Sequence, residues 1–109
     1  MPHYMIAQVK LKDESWLPGY SANVHGLVHR HGGKYLSRSA NVTTLEGKEY
    51  EADVIALIEF PSEDAMNAFM ADPEYAPYAQ ARIAGTESQL LGIDASDVAG
   101  TIDYLAEGD

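Results

Sequence analysis

Three features of this 109-residue chain predict an α+β domain of the ferredoxin-like kind: a βαββαβ order, one antiparallel sheet, helices on one face. The first is the order in which strand-like alternation and helix-like periodicity succeed one another. The second is Gly32-Gly33, which ends the first helical pattern just before a strand. The third is the run from Asp53 to Phe60, apolar almost throughout, which marks a central strand buried on both faces. Helices on one side of a sheet leave such a strand half covered. A second copy of the same sheet is the simplest cover, so a homodimer is expected.

Residues 4–12 form the first strand: Met5, Ala7, Val9 and Leu11 point one way, Gln8, Lys10 and Lys12 the other. Asp13 can cap the next helix, with Glu14 in its first turn. Leu17, Tyr20, Val24, Leu27, Val28 and His31 fall on one helical stripe with Trp16 on its border, and Pro18-Gly19 predicts an irregular first turn or a later start of the helix. The second strand is expected from about Lys34 to Thr44, with Leu36, Arg38, Ala40 and Val42 on one side. A charged connection, Leu45 to Glu51, is longer than an ordinary hairpin loop and leads into strand three. Ser62 caps a second helix that turns Ala65, Met66 and Phe69 inward. Asp72-Pro73 restarts the helix as far as Ala84, with Pro77 either bending it or confining its regular part to the residues after the proline. Gly85 closes it, and Thr86 to Ile93 make the fourth strand. The chain thus divides into a domain over 1–94 and an acidic C-terminal tail over 95–109, whose apolar anchor is Val98 with Ile102, Tyr104 and Leu105.

Seven basic against seventeen acidic side chains give a formal charge of -10, which repels phosphate backbones and anionic lipid, so neither nucleic acid nor a membrane is an expected partner. There is no cysteine, no charged start with an apolar run, and no span of membrane length, which makes a cytoplasmic protein the expectation.

The residues able to do chemistry are few. Arg38 shares strand parity with apolar residues and so points to a covered face, where a guanidinium needs a carboxylate from the protein or from a ligand. Glu46 and Glu59 are the internal candidates. Tyr75 and Arg82 are seven apart on one helix face with Tyr78 between them, and with Trp16 and Tyr20 they can wall an aromatic pocket with one cationic end. Arg38, Trp16, Tyr20, Tyr75, Arg82 and Glu59 are the candidate binding set. His31, on the core side of a helix end that it can otherwise simply close, and Glu46, in the long loop, are the candidate proton carriers. His25 and His29 have the spacing of a helical metal pair, but no acidic residue completes it. They read as a solvated face, and no metal site is expected. No nucleophile elbow, phosphate loop or dinucleotide fingerprint is present, so no cofactor is expected.

Gly32-Gly33-Lys34-Tyr35-Leu36-Ser37-Arg38, Leu45-Glu46-Gly47, Ile58-Glu59-Phe60-Pro61-Ser62 and Asp72-Pro73-Glu74-Tyr75 followed by Arg82 resemble the domain of unknown function 1330 family. The blocks match in order and spacing from residue 3 to about residue 93. The family's two glycines after the strand-two arginine are Ser39-Ala40 here, and its loop aromatic is shifted to Tyr50. The resemblance implies a dimeric α+β barrel, two ferredoxin-like sheets packed face to face, and brings no activity with it. Barrels of that architecture include cofactor-free monooxygenases and isomerases of aromatic breakdown. The expected function is therefore a cofactor-free enzyme or binder for a small carboxylate-bearing aromatic molecule. The alternative is a non-catalytic structural or stress-associated dimer with Arg38 in an internal ion-pair network.

Overall fold

Four strands pair in the spatial order β2-β3-β1-β4, and every neighbouring pair is antiparallel. The computed structural model describes residues 1–99; the tail anchor at residues 102–105 lies outside them. The chain runs β1 (His3–Leu11), α1 (Leu17–Arg30), β2 (Lys34–Ser39), β3 (Val54–Phe60), α2 (Glu63–Met70), α3 (Ala76–Gly85), β4 (Thr86–Asp94). This is a ferredoxin-like α+β fold, with β1 and β3 in the middle of the sheet as the apolar run of β3 requires.

Registers set the two faces. Met5 lies opposite Ile58 and Ala7 opposite Ala56, while Ala7 also faces Leu90 on the other side; alternation then turns all of these toward the helices. The core between sheet and helices is built on Phe60, Phe69, Tyr75, Val24 and Val28, all almost wholly buried. The opposite face carries Ile6, Ile55, Leu57, Leu91 and Ile93, with Leu91 and Ile93 openly exposed in the single chain.

Local chemistry explains the boundaries. Ser62 Oγ accepts from the Ala65 amide at 3.0 Å, the expected cap of α2. Pro77 sits in the first turn of α3, where its missing N–H costs nothing. Gly32 has φ +79°, and a Cβ on Gly33 would lie 2.5 Å from Val28 Cγ1, so both glycines of the turn are required.

Several features differ from expectation or decide between its alternatives, and one is the start of α3 at Ala76 rather than Pro73. Asp13 does not cap α1; its carboxylate is taken by the Ser15 amide and hydroxyl, and the helix starts only at Leu17, with Pro18 in its first turn. β2 ends at Ser39 rather than Thr44, leaving residues 40–53 as the connection. Most consequential, the β2–β3 register slips between Tyr35 and Ser37. That bulge reverses parity, so Arg38 shares a face with Tyr35 and not with Leu36, which is 44% exposed.

Candidate functional site

Ala7 and Ala56 lie side by side on the two central strands, where the next pair along is Met5 and Ile58. Two methyl groups cannot fill the space beneath α1, and a cavity of about 240 Å³ remains between sheet and helices. An apolar cavity of about 150 Å³ is enough to admit benzene, so this one has room for a small substituted ring.

Aromatic side chains form its roof and one wall. The Trp16 ring meets Tyr20 edge-on, centroids 5.1 Å apart and planes at 89°, and it rests on Gly85, where a Cβ would come within 2.3 Å of Trp16 Cδ1. Tyr20 and Tyr75, from α1 and the start of α3, bring their hydroxyls to 3.3 Å. Burial pushes the Tyr20 phenol far above its ordinary value, Tyr75 adds to this, and the charge of Arg82 opposes it. Tyr20 is therefore a neutral donor at any physiological pH.

The β2 edge supplies the polar rim. Arg38 Cζ lies 4.0 Å over the Tyr35 ring, and His25 stacks on the same ring at 5.2 Å with planes 3° apart. Arg38 Nη1 is 3.5 Å from His25 Nδ1, a contact that favours the unprotonated nitrogen. Partial burial, His29 and Arg38 all lower the His25 pKa from its ordinary value, so the imidazole is neutral near pH 7 and free to accept a proton.

The far side of the cavity is closed by Arg82 from the last turn of α3. It is only 6% exposed. Its Nη1 donates to Ser88 Oγ on β4 at 2.7 Å, and its Nε finds no partner among the described residues. Arg38 and Arg82 thus reach the cavity from opposite edges of the sheet, β2 and β4. Among the described residues, no carboxylate lines it.

Of the residues expected at a site, Trp16, Tyr20, Tyr75, Arg38 and Arg82 come together around this cavity. His31, Glu46 and Glu59 do not. His31 Nε2 donates to Asp72 Oδ2 at 2.8 Å, and Arg30 Nη2 donates to the same oxygen at 2.7 Å. Together they clamp the end of α1 to the turn between α2 and α3. The His31 bond, the Glu74 amide that donates to Asp72 Oδ1 and the Arg30 bond hold Asp72 far below the usual carboxylate range, against the opposing effect of burial. Glu46 stands exposed in the β2–β3 connection. Glu59 lies on the other face of the sheet, opposite Tyr4 and Lys34. The ion-pair network expected of Arg38 is accordingly not formed among the described residues: neither glutamate reaches it, and the guanidinium is solvent-exposed rather than buried.

Two residues of the rim were not anticipated. Tyr35 joins through the bulge, which strict alternation does not reveal. His25, expected on a solvated helix face, is half-buried because the Tyr35 ring lies against it. His29 remains exposed, with its ring 4.2 Å from that of His25. Among the described residues no three histidine, aspartate or glutamate side chains are grouped as metal ligands would be, and no helix is long and apolar enough to cross a membrane.

The family described as Domain of unknown function (DUF1330) matches residues 2–96. The chain belongs to the DUF1330 family. No curated protein matches it. Among solved structures, a protein of unknown function from Rhodopseudomonas palustris is 21% identical, over 88% of this chain and 83% of its own, with a TM-score of 0.75. A dimeric ferredoxin-like protein of unknown function from Jannaschia sp. is 12% identical, over 87% of this chain and 100% of its own, with a TM-score of 0.66. The cofactor-independent oxygenase SnoaB from Streptomyces nogalater is 15% identical, over 88% of this chain and 94% of its own, with a TM-score of 0.61. At these identities the likeness is one of fold. The DUF1330 cavity therefore has to be interpreted from its own side chains.

Proposed function

We propose that this DUF1330 protein binds a small carboxylate-bearing aromatic molecule in the cavity beneath α1 and acts on it without a cofactor, as a homodimer. The observation that carries the reading is the charge of the lining: two guanidiniums and an imidazole face an apolar space to which no carboxylate of the described residues contributes. A cationic lining inside a chain of formal charge -10 concentrates an anion that the protein's outer surface repels. Trp16, Tyr20 and Tyr75 hold the ring. Arg38 stabilises an oxyanion at the rim, and His25, neutral and beside it, takes the proton whose loss generates that oxyanion. The fold shared with a cofactor-independent oxygenase supports a reaction of this kind by analogy. The apolar outer face of the sheet and the dimeric neighbour support the homodimer.

The test is thermal denaturation against a panel of benzoates and hydroxybenzoates, with Arg38→Ala run in parallel. A ligand specific for the folded state stabilises by RT ln(1 + [L]/Kd), about 2.7 kcal/mol at 100 times Kd. At least one acid is expected to raise the melting temperature. Arg38→Ala, an exposed substitution, is expected to melt close to wild type while losing part of that response. A panel without effect, together with an Arg38→Ala protein that melts far earlier, would instead favour the structural dimer.

A further inference from the structure

Arg82 is placed where a folded chain gains least from a charge. The residue is buried, only 6% exposed, and one of its guanidinium nitrogens donates to a neutral hydroxyl, Ser88 Oγ. Its Nε donates to nothing among the described residues, although a buried N–H without a partner is rare. No carboxylate lies within ion-pair distance of it among those residues. A buried cation left in this state destabilises the empty protein, since desolvation is not offset by a counter-charge. Its backbone does have a structural use, because the Thr86 hydroxyl donates to the Arg82 carbonyl, but that bond needs no guanidinium.

We infer that Arg82 is the seat of the ligand's carboxylate, with its unpartnered Nε side donating into the cavity and the Tyr20–Tyr75 hydroxyl pair contributing a further donor beside it. With one nitrogen held by Ser88, the guanidinium is fixed in orientation and its Nε edge is left for a two-oxygen anion, the planar fork that suits a carboxylate. The two phenols share one hydrogen bond, so one of their protons remains to be donated. The Arg82 Nε–H and the spare phenol proton both donate, which favours an acceptor-only partner.

The inference rests on the proposed small-molecule role and makes its substrate class specific. The acid sits at the α3–β4 end under Arg82, and the reacting hydroxyl or enol of the same ring points to Arg38 and His25 at the β2 edge. A hydroxyaryl carboxylate has that polarity, an anion at one end and an ionisable oxygen at the other.

The experiment uses the full chain, with benzoate, 4-hydroxybenzoate and benzamide as probes, and compares wild type with Arg82→Met and Arg82→Lys. Methionine keeps an unbranched side chain of similar reach without the buried charge. Three results are expected. Arg82→Met melts at or above the temperature of ligand-free wild type. Binding of benzoate and 4-hydroxybenzoate weakens roughly ten- to a hundredfold in Arg82→Met, the range for a hydrogen bond to a charged group, and less in Arg82→Lys. In wild type, benzoate shifts the Nε–H resonance of Arg82 in a ¹H–¹⁵N spectrum, and benzamide does not. Only three arginines contribute to that spectrum. An Arg82→Met protein that melts well below wild type makes the residue structural and overturns the inference. So does undiminished benzoate binding in Arg82→Met, an outcome that leaves the proposed function standing. A wild type that no benzoate stabilises overturns both.

Discussion

Ala56→Leu measures the cavity directly. Ala56 sits on β3 between Ala7 of β1 and Arg38 of β2, and its methyl group is part of the floor beneath α1. Leucine adds three carbons pointing into a space of about 240 Å³. At about 0.8 kcal/mol for each buried CH₂, the gain is about 2.4 kcal/mol; ordering the side chain removes about 0.5–1 kcal/mol of it. The net is about 1.5 kcal/mol, which for a domain of this size raises the melting temperature by roughly 6–12 °C. Calorimetry gives the shift, and urea titration checks that the midpoint moves without a change in slope. The same variant loses all stabilisation by aromatic carboxylates, because leucine occupies the space of the ring. A fall in melting temperature would refute the reasoning. It would mean that the side chains already meet there, and that leucine overpacks them at a cost of about 1–3 kcal/mol.

Two further predictions concern regions outside the cavity. Asp72→Asn removes the charge from the acceptor shared by His31 and Arg30 and lowers the melting temperature at neutral pH. The folded-state pKa of Asp72 is depressed by these bonds, so its contribution is complete above the unfolded value of about 3.9 and is lost as pH falls below it toward the folded value. The gap between wild type and variant, followed by thermal melts, should stay level above about pH 5 and close in acid; a gap that widens in acid would contradict the sign. Leu57→Glu places a carboxylate on the outer face of the central strand, among Ile6, Ile55 and Leu91. Light scattering on a sizing column is expected to find twice the chain mass for wild type and the chain mass for the variant. An unchanged mass would mean that this face is not the dimer contact.

How far the chain could be read without its structure differs by element. Strands and helix stops were legible because their causes are local: the alternation of Met5, Ala7, Val9 and Leu11, the Ser62 cap, the strain that only Gly32-Gly33 relieves. Three aromatic members of the cavity were legible for the same reason, since Trp16 and Tyr20 belong to one helical stripe and Tyr75 and Arg82 to another, whereas Tyr35 was not. Its own helix left His31 open to carrying a proton or closing the helix end, and what it meets there is a residue 41 positions away, Asp72.

The order and boundaries of most elements, the apolar character of both faces of β3, and the family are written in the chain itself, because each depends on spacing within one segment. The site came into being only with the tertiary fold. A one-residue slip in β2 carries Arg38 onto the Tyr35 face, two alanines from distant strands meet and leave a space, and Arg82 is buried beside a serine instead of a carboxylate. Each of these depends on the pairing of segments far apart in the chain, and side-chain periodicity within a segment carries no record of what will lie across from it.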